Sequence, residues 1–554
     1  MSKKSTLIFI LAISALLGLY GLSRGDTVND EVFMSFRGIG MLDFDEAAAQ
    51  TTPLEWFDPN IPWWTKLSFH DHPPLVLAVQ NIFMKVFSES NFGFRLPSAL
   101  LGIVSVYLVY LIGRLLYSDS TGIIAASIFG VTLNHLYISR VGMQEAYVIF
   151  FLLLASYFFL KSLRDDRYLI WTGTAVGLGL LAKYNAGIIV PIFGTYLLFF
   201  KRDYLKNKNL WFGALLAAVI FSPVIIYNIG LYQAVGHFDF QLSYIFGQHP
   251  EVWKVAPGKE IGALIDRLQD FAPRLIATNS WLFLAFAGTS VLAFLYGLIS
   301  RGKEVMVKNS FLIIALLFVA ALMLVIGPSY RFLTMLTPFI ALVIAVFLDA
   351  VRQRFFGDKK NLVYGLFALV LIFEIGYSIN NLIRYYPWPN SESFRPWLVS
   401  KVRYENYNWG YNQLGAFFER ELAGLVPALT FDMRYQFLEK LREQALERGL
   451  AAGAESYPAM IVYDGNFDLA GKLWTLNRLH IYHAWPVLSL ATYNQYLQEQ
   501  GSDYYQRIGF KVRYFVAPTN TVLAPETVIL QTGERISILN PRGDEAFVVY
   551  KKIF

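Results

Sequence analysis

The sequence predicts a polytopic α-helical membrane protein with a C-terminal α/β domain outside the membrane. Three observations predict it. Of 554 residues, 55% are hydrophobic and 16% charged, against roughly 25% charged in soluble domains. Apolar runs of a length that crosses a bilayer follow one another up to residue 382. Beyond residue 383 the composition shifts to a mixture of helix-like and strand-like segments.

Taken in order, a basic Met1–Lys4 precedes an apolar run from Leu7 to Leu22. A secretory leader would look similar, but Gly21-Leu22-Ser23 is a poor small-x-small cleavage site. An uncleaved first helix is the better reading, and both readings place the next segment outside. Further spans are expected at about 95–117, 120–139, 144–161, 168–182, 184–200, 210–229, 279–299, 310–327, 331–350 and 361–382.

The stretch Leu75 to Phe87 is short for a span. Charge decides its place, because short cytoplasmic loops collect Lys and Arg. The basic loops are Lys201 to Lys208, Arg301 to Lys308, Arg352 to Lys360 and the one holding Lys161, Arg164 and Arg167. All fall inside only if 75–87 lies on the outer surface as an interfacial or re-entrant helix. That leaves eleven crossings, the N-terminus inside and the C-terminus outside.

Four regions then face outward: the loop 23–94, a turn from Arg140 to Glu145, the loop 230–278, and the tail. The tail carries helix-like segments at Gln413 to Leu422 and Arg434 to Arg448, and strand-like runs at Met460 to Tyr463 and Ala546 to Tyr550. The expected domains are thus 1–382, membrane-embedded and including the outer loop 23–94, and 383–554, soluble.

Cysteine is absent, which excludes disulfides, thiolate nucleophiles and Cys-ligated zinc. The net charge of +6 is modest. No nucleic-acid motif is found, so no nucleic-acid partner is expected, and no Gly-rich phosphate loop is found either. The absence of internal repeats speaks against a transporter.

The candidate chemistry sits on the outer side. Asp30 and Glu31 lie just past the first helix, where a carboxylate can act as general base on a hydroxyl, or be a solvated acid at a helix end. His70-Asp71-His72 invites a metal reading, which His237 and His249 would have to complete. A histidine hydrogen-bonding a phosphate is the stronger reading, beside an ordinary interfacial histidine. Arg140 and Glu145 flank one outer turn, and Lys183 and Arg331 are lone cations at outer edges. A phosphate ligand explains cations on the side that positive-inside bias disfavours; snorkelling to headgroups is the alternative. Arg274 joins this set of outer cations.

At these residues the chain resembles the polyprenyl-phosphate-dependent GT-C glycosyltransferases. These include protein O-mannosyltransferases, aminoarabinose transferases and galacturonosyl transferases. The resemblance rests on Asp30-Glu31, His72-Pro73-Pro74-Leu75, Arg95-Leu96-Pro97-Ser98, Glu145, Gly177 to Lys183, and Arg331-Phe332-Leu333 with Pro338. It covers about residues 1–350. The chain departs from many members in having His72 for Lys and Glu145 for Asp, which puts the sugar in doubt.

The resemblance implies a GT-C fold and transfer of a monosaccharide, with inversion, from a polyprenyl-phosphate carrier to a glycan, lipid or protein acceptor. It implies that Asp30 is the catalytic base, with Glu31 and Glu145 as the other candidate acids. It implies that His72 meets the lipid phosphate; Lys183, Arg331, Arg274 and Arg140 are added from their placement. No cofactor is expected, with a divalent metal at His70, Asp71 and His72 as the alternative. An oligosaccharide ligase using a diphosphate carrier, or a non-catalytic lipid or sugar transporter, are the rival functions.

Overall fold

The structure, a computed structural model, describes residues 2–28, 30–44, 51–253, 262–355, 360–384, 395–402, 408–523 and 525–554. These form two compact units. One comprises Met1–Leu22 and Trp63–Glu405, the other Ser23–Pro62 and Asn406–Phe554. The outer loop is therefore divided: residues 23–62, expected to belong wholly to the membrane part, pack within the second unit. The neighbourhood of the expected boundary, 385–394, lies outside the described residues, as do positions 356–359 of one basic loop.

The first unit is a helix bundle. Among the described residues, seven helical segments are long and apolar enough to cross a bilayer, or eight counting one bent pair. Other expected spans are shorter helices: Lys3–Leu19, Tyr168–Ala182, and a 3-10 turn Tyr184–Ile188 running into Ile189–Phe200. The span expected at 120–139 is two helices, Asp119–Val131 and Leu133–Arg140, bent by 59°. At the break the Thr132 backbone is extended and its hydroxyl donates to Ile128 O at 2.6 Å. A side chain bonding back to its own helix competes with regular propagation.

The Leu75–Phe87 helix follows Pro73-Pro74 and has 13 residues, about 20 Å of rise. That is short of a hydrocarbon core. Elsewhere small residues set the helix spacing. A Cβ on Gly173 would stand 2.0 Å from the Gly213 carbonyl oxygen, so helices Tyr168–Ala182 and Lys208–Val235 touch backbone to backbone, as membrane helices do where side chains are smallest.

The second unit is α/β, as expected for the tail. Its strands are β1 Leu425–Pro427, β2 Glu455–Tyr457, β3 Ala459–Tyr463, β4 Val487–Ser489, β5 Val512–Pro518, β6 Glu534–Leu539 and β7 Glu545–Ile553. The main sheet has the order β4-β3-β5-β7-β6. Its first three strands are parallel and its last two pairings antiparallel. Ile461 pairs with Tyr514, and Val516 with Val549.

Strands β3 and β5 are buried on both faces, which is why β3 reads as a continuous apolar run and β5 as one interrupted only by Arg513. One face packs Leu414 and Phe418 of helix Tyr411–Glu421, and the other packs Tyr493, Tyr505 and Phe510.

Residues 23–62 are built into this unit by their carboxylates and rings. Asp26 Oδ2 accepts from the backbone N–H groups of Trp409, Gly410 and Tyr411 at 2.7, 3.0 and 3.3 Å, and Oδ1 from Asn412 at 2.9 Å. An anion is thus fixed at the N-terminus of helix Tyr411–Glu421. Asp58 does the same for helix Gln436–Ala451, accepting from Gln436 N at 2.8 Å and Phe437 N at 3.2 Å. Phe36 meets Tyr482 edge-on at 5.2 Å, and the Tyr482 hydroxyl donates to Phe36 O at 2.8 Å.

Candidate functional site

In the first unit three predicted residues meet at one end of the bundle. Glu145 begins helix Glu145–Ser162 and Lys183 ends helix Tyr168–Ala182. The acid is at a positive helix end and the cation at a negative one, so both dipoles favour the placement. Lys183 Nζ lies 2.7 Å from Glu145 Oε1, and Arg331 Nε lies 3.9 Å from the same oxygen. Both cations stand over the Phe332 ring at 5.0 Å, an attractive geometry. Glu145 is buried, while Lys183 and Arg331 keep part of their side chains exposed. Two cations therefore share one buried carboxylate. Glu145 holds them in place; its engagement is that of a counter-ion and not of an open base.

Tyr184, next to Lys183, leads into a second polar cluster. Its hydroxyl donates to Asp239 Oδ2 at 2.5 Å, and Asn228 Nδ2 donates to the same oxygen at 2.9 Å. Asp239 is fully buried and its Oδ1 accepts from Leu242 N at 2.9 Å. Burial pushes the Asp239 carboxyl above its ordinary range; these donors lower it, and nearby Asp71 adds to the upward push.

Asp71 belongs to the histidine motif. His72 Nδ1 lies 3.0 Å from Asp71 Oδ1 and His70 Nδ1 at 3.8 Å. His70 is buried and stacks on Trp253 at 5.5 Å, which His237 meets edge-on at 5.6 Å. His249 packs edge-on against Tyr244 instead. Among the described residues no group of three or more His, Asp or Glu side chains is arranged to hold a metal ion.

Two predicted phosphate ligands lie elsewhere in their contacts. The Arg140 guanidinium is buried and donates to Leu17 O at 2.6 Å, Tyr20 O at 2.9 Å, and Gly18 O and Gly21 O at 3.3 Å. Arg95, from the Arg-Leu-Pro-Ser element, donates to Leu22 O at 3.0 Å. These cations close the C-terminal end of the first helix, where carbonyls have no helical partner. Arg274 pairs with Asp270 at 2.7 Å on helix Leu264–Thr278.

The predicted carboxylate pair lies in the second unit, and its members differ. Glu31 is fully buried, and its Oε1 accepts from Val28 N at 2.9 Å at the start of helix Glu31–Gly40. Asp30 is the residue preceding that helix, partly exposed, and its side chain makes no capping bond there.

Sequence reasoning missed Asp26, Asp58, Asn228, Asp239, Trp253 and Phe332. Asp239 carried one local signal, an acid three residues before Leu242 at a helix start. Phe332 sat inside the Arg331-Phe332-Leu333 element without a role of its own.

The sequence profile of the dolichyl-phosphate-mannose-protein mannosyltransferase family matches residues 71–227. Two Bacillus subtilis proteins are similar, named "Putative mannosyltransferase YkcB" and "Putative mannosyltransferase YycA". They are 30% and 27% identical over 238 and 227 residues, 40% and 39% of this chain. The chain spans 31% and 30% of the length of these two relatives.

Among solved structures, ArnT from Cupriavidus metallidurans bound to undecaprenyl phosphate aligns with a TM-score of 0.53 at 12% identity. The alignment covers 98% of this chain and 97% of that one. The Archaeoglobus fulgidus oligosaccharyltransferase in complex with Zn and sulfate aligns at 0.50 and 16%, over 98% and 72%. The fold is thus shared with these two structures, and the resemblance read from the motifs is borne out in the fold.

Proposed function

We propose that this integral membrane protein is a glycosyltransferase that moves a monosaccharide from a polyprenyl-phosphate carrier to an acceptor hydroxyl on the outer face of the membrane. The observation that carries the reading is the pair Lys183 and Arg331 held on one buried Glu145 at the end of the bundle. Two cations there suit a phosphate bearing negative charge, and the distribution of basic loops supports an outer, extracytoplasmic position for that end in the cytoplasmic membrane.

The acceptor oxygen attacks the anomeric carbon from the face opposite the phosphate. The bond from that carbon to the phosphate oxygen breaks, and configuration inverts. Asp30 takes the hydroxyl proton. Polyprenyl phosphate leaves, and Lys183 and Arg331 neutralise the charge it gains, the electrostatic role that usually contributes most. His72 donates a hydrogen bond to the phosphate. Glu145 positions the two cations. The sequence motif supports Asp30 over Glu31, and so does the Glu31 bond to Val28 N.

The test is acceptor-dependent release of polyprenyl phosphate from a labelled polyprenyl-phosphate hexose by the purified protein in lipid nanodiscs. Use of a diphosphate-linked donor alone would contradict the proposal and favour an oligosaccharide ligase.

A further inference from the structure

The second unit holds a cavity of about 510 Å³, within the size range of small-molecule sites. Trp409, Tyr411 and Phe467 bring aromatic rings to it, and Asn520, Arg542 and Asp544 bring polar groups. Tyr411 and Phe467 are buried and lie 5.0 and 5.4 Å from Phe547, forming a fixed apolar wall. Trp409 is different. It is 45% exposed, although a large indole gains by burial.

The segment that presents Trp409 is tightly held. Asp26, buried to 3% exposure, accepts from four successive backbone N–H groups beginning at Trp409. On the other side, Asn540 Oδ1 accepts from Arg542 N at 2.8 Å and Asp544 N at 3.1 Å, fixing that turn. The Tyr411 hydroxyl accepts from Asp468 N at 2.8 Å. The backbone that carries Trp409, Arg542 and Asp544, and the Tyr411 ring, are thus set before any ligand arrives, which lowers the cost of binding.

We propose that this cavity binds a saccharide chain. The C–H faces of a pyranose ring are apolar and its rim is a run of hydroxyls. An exposed indole beside a ring wall suits the faces. Side-chain amides, which both donate and accept, and carboxylates suit the hydroxyls. Charge selects against the alternatives. Asp468, Asp544 and Glu545 line the cavity with Arg542; Glu545 is paired with Arg535 at 2.7 Å, and Asp468 and Asp544 still outnumber Arg542, which disfavours a phosphate or other polyanion. An apolar lipid chain would strip water from these polar and charged groups and offer them no hydrogen bond in return, at a cost for each. This site is distinct from the Lys183 and Arg331 cluster, and its occupancy does not depend on the donor reading.

The experiment is binding of gluco-, manno-, galacto- and N-acetylglucosamine oligosaccharides of two to six units to the full chain. It is read by saturation-transfer NMR and calorimetry in nanodiscs free of sugar-headed detergent. At least one series binds, and Trp409→Ala weakens it about ten-fold or more, the loss typical of a central aromatic anchor. Asn520→Ala and Asp544→Ala weaken it several-fold, with thermal midpoints unchanged. Absence of binding by every series, binding unaffected by Trp409→Ala in folded protein, or capture of peptides and no saccharide overturns the proposal. Loss of donor turnover with saccharide binding intact would strike the proposed reaction alone.

Discussion

The Lys183 ammonium lies 2.7 Å from the Glu145 carboxylate, joining the last residue after one helix to the first of its neighbour. Burial makes the pair asymmetric, since Glu145 is 2% exposed and Lys183 13%. Lys183→Met would leave a buried carboxylate poorly compensated, which costs about 3–5 kcal/mol. Lys183→Met/Glu145→Gln removes both charges and should recover most of the thermal midpoint. The recovered protein should still show a donor KM raised roughly ten- to hundred-fold, one charged hydrogen bond having been lost. A wild-type KM in the double variant would make the cluster purely structural.

His72 provides a second donor-side test. Its ring approaches Asp71 at 3.0 Å and keeps 14% of its side chain exposed. His72→Ala should raise donor KM by roughly ten-fold or more at a thermal midpoint close to wild type, a charged hydrogen bond being the contact removed. His72→Asn, which retains a donor, should restore part of the affinity. Equal KM values across the three proteins would remove His72 from the site.

Arg140 should behave oppositely. Its guanidinium joins four carbonyls at the end of the first helix. Arg140→Ala strands these buried acceptors, with an expected loss of about 2–4 kcal/mol. Arg140→Lys keeps the charge at the helix end but lacks the planar fork, so it should recover only part. Donor KM in the folded fraction should not move. A selective KM effect at full stability would return Arg140 to the phosphate site.

How far these roles could be read in advance depended on range. The long helices of the first unit are legible because an apolar run of about 18 residues or more with few charges suits the lipid interior. Strands Ala459–Tyr463 and Glu545–Ile553 are legible from their β-branched runs. Glu145, Lys183 and Arg331 stand out as charges against apolar sequence, so their meeting is half-visible. Arg140 stands out in the same way, and backbone carbonyls of the first helix's end accept from it. The capping of helix Tyr411–Glu421 by Asp26, 383 to 386 residues away along the chain, leaves no local pattern. Neither does the joining of residues 23–62 to the tail.

That long-range cap supplies its own test. Asp26→Ala removes the acceptor of four N–H groups and should destabilise the second unit by about 2–3 kcal/mol. Asp26→Asn keeps one of the two accepting oxygens but loses the charge at the helix end and turns an NH2 toward the remaining backbone donor, so its loss should be smaller, about 1–2 kcal/mol. Hydrogen exchange of the amides from Trp409 to Asn412 should rise in the same order. Unchanged protection in Asp26→Ala would contradict the assignment.

The central claim is a lipid-phosphate donor with Asp30 as base, and turnover of Asp30→Asn tests it most directly. Wild-type protein in nanodiscs should convert a polyprenyl-phosphate hexose and acceptor into an inverted glycoside plus polyprenyl phosphate. Asp30→Asn should lose about 10²–10⁴ in rate, as general-base removal does, while keeping wild-type donor KM and thermal midpoint. Glu31→Gln should lower stability by about 1 kcal/mol, through its weakened bond to Val28 N, and keep its turnover. Near-wild-type turnover in Asp30→Asn, whether or not Glu31→Gln is inactive, would contradict the mechanism.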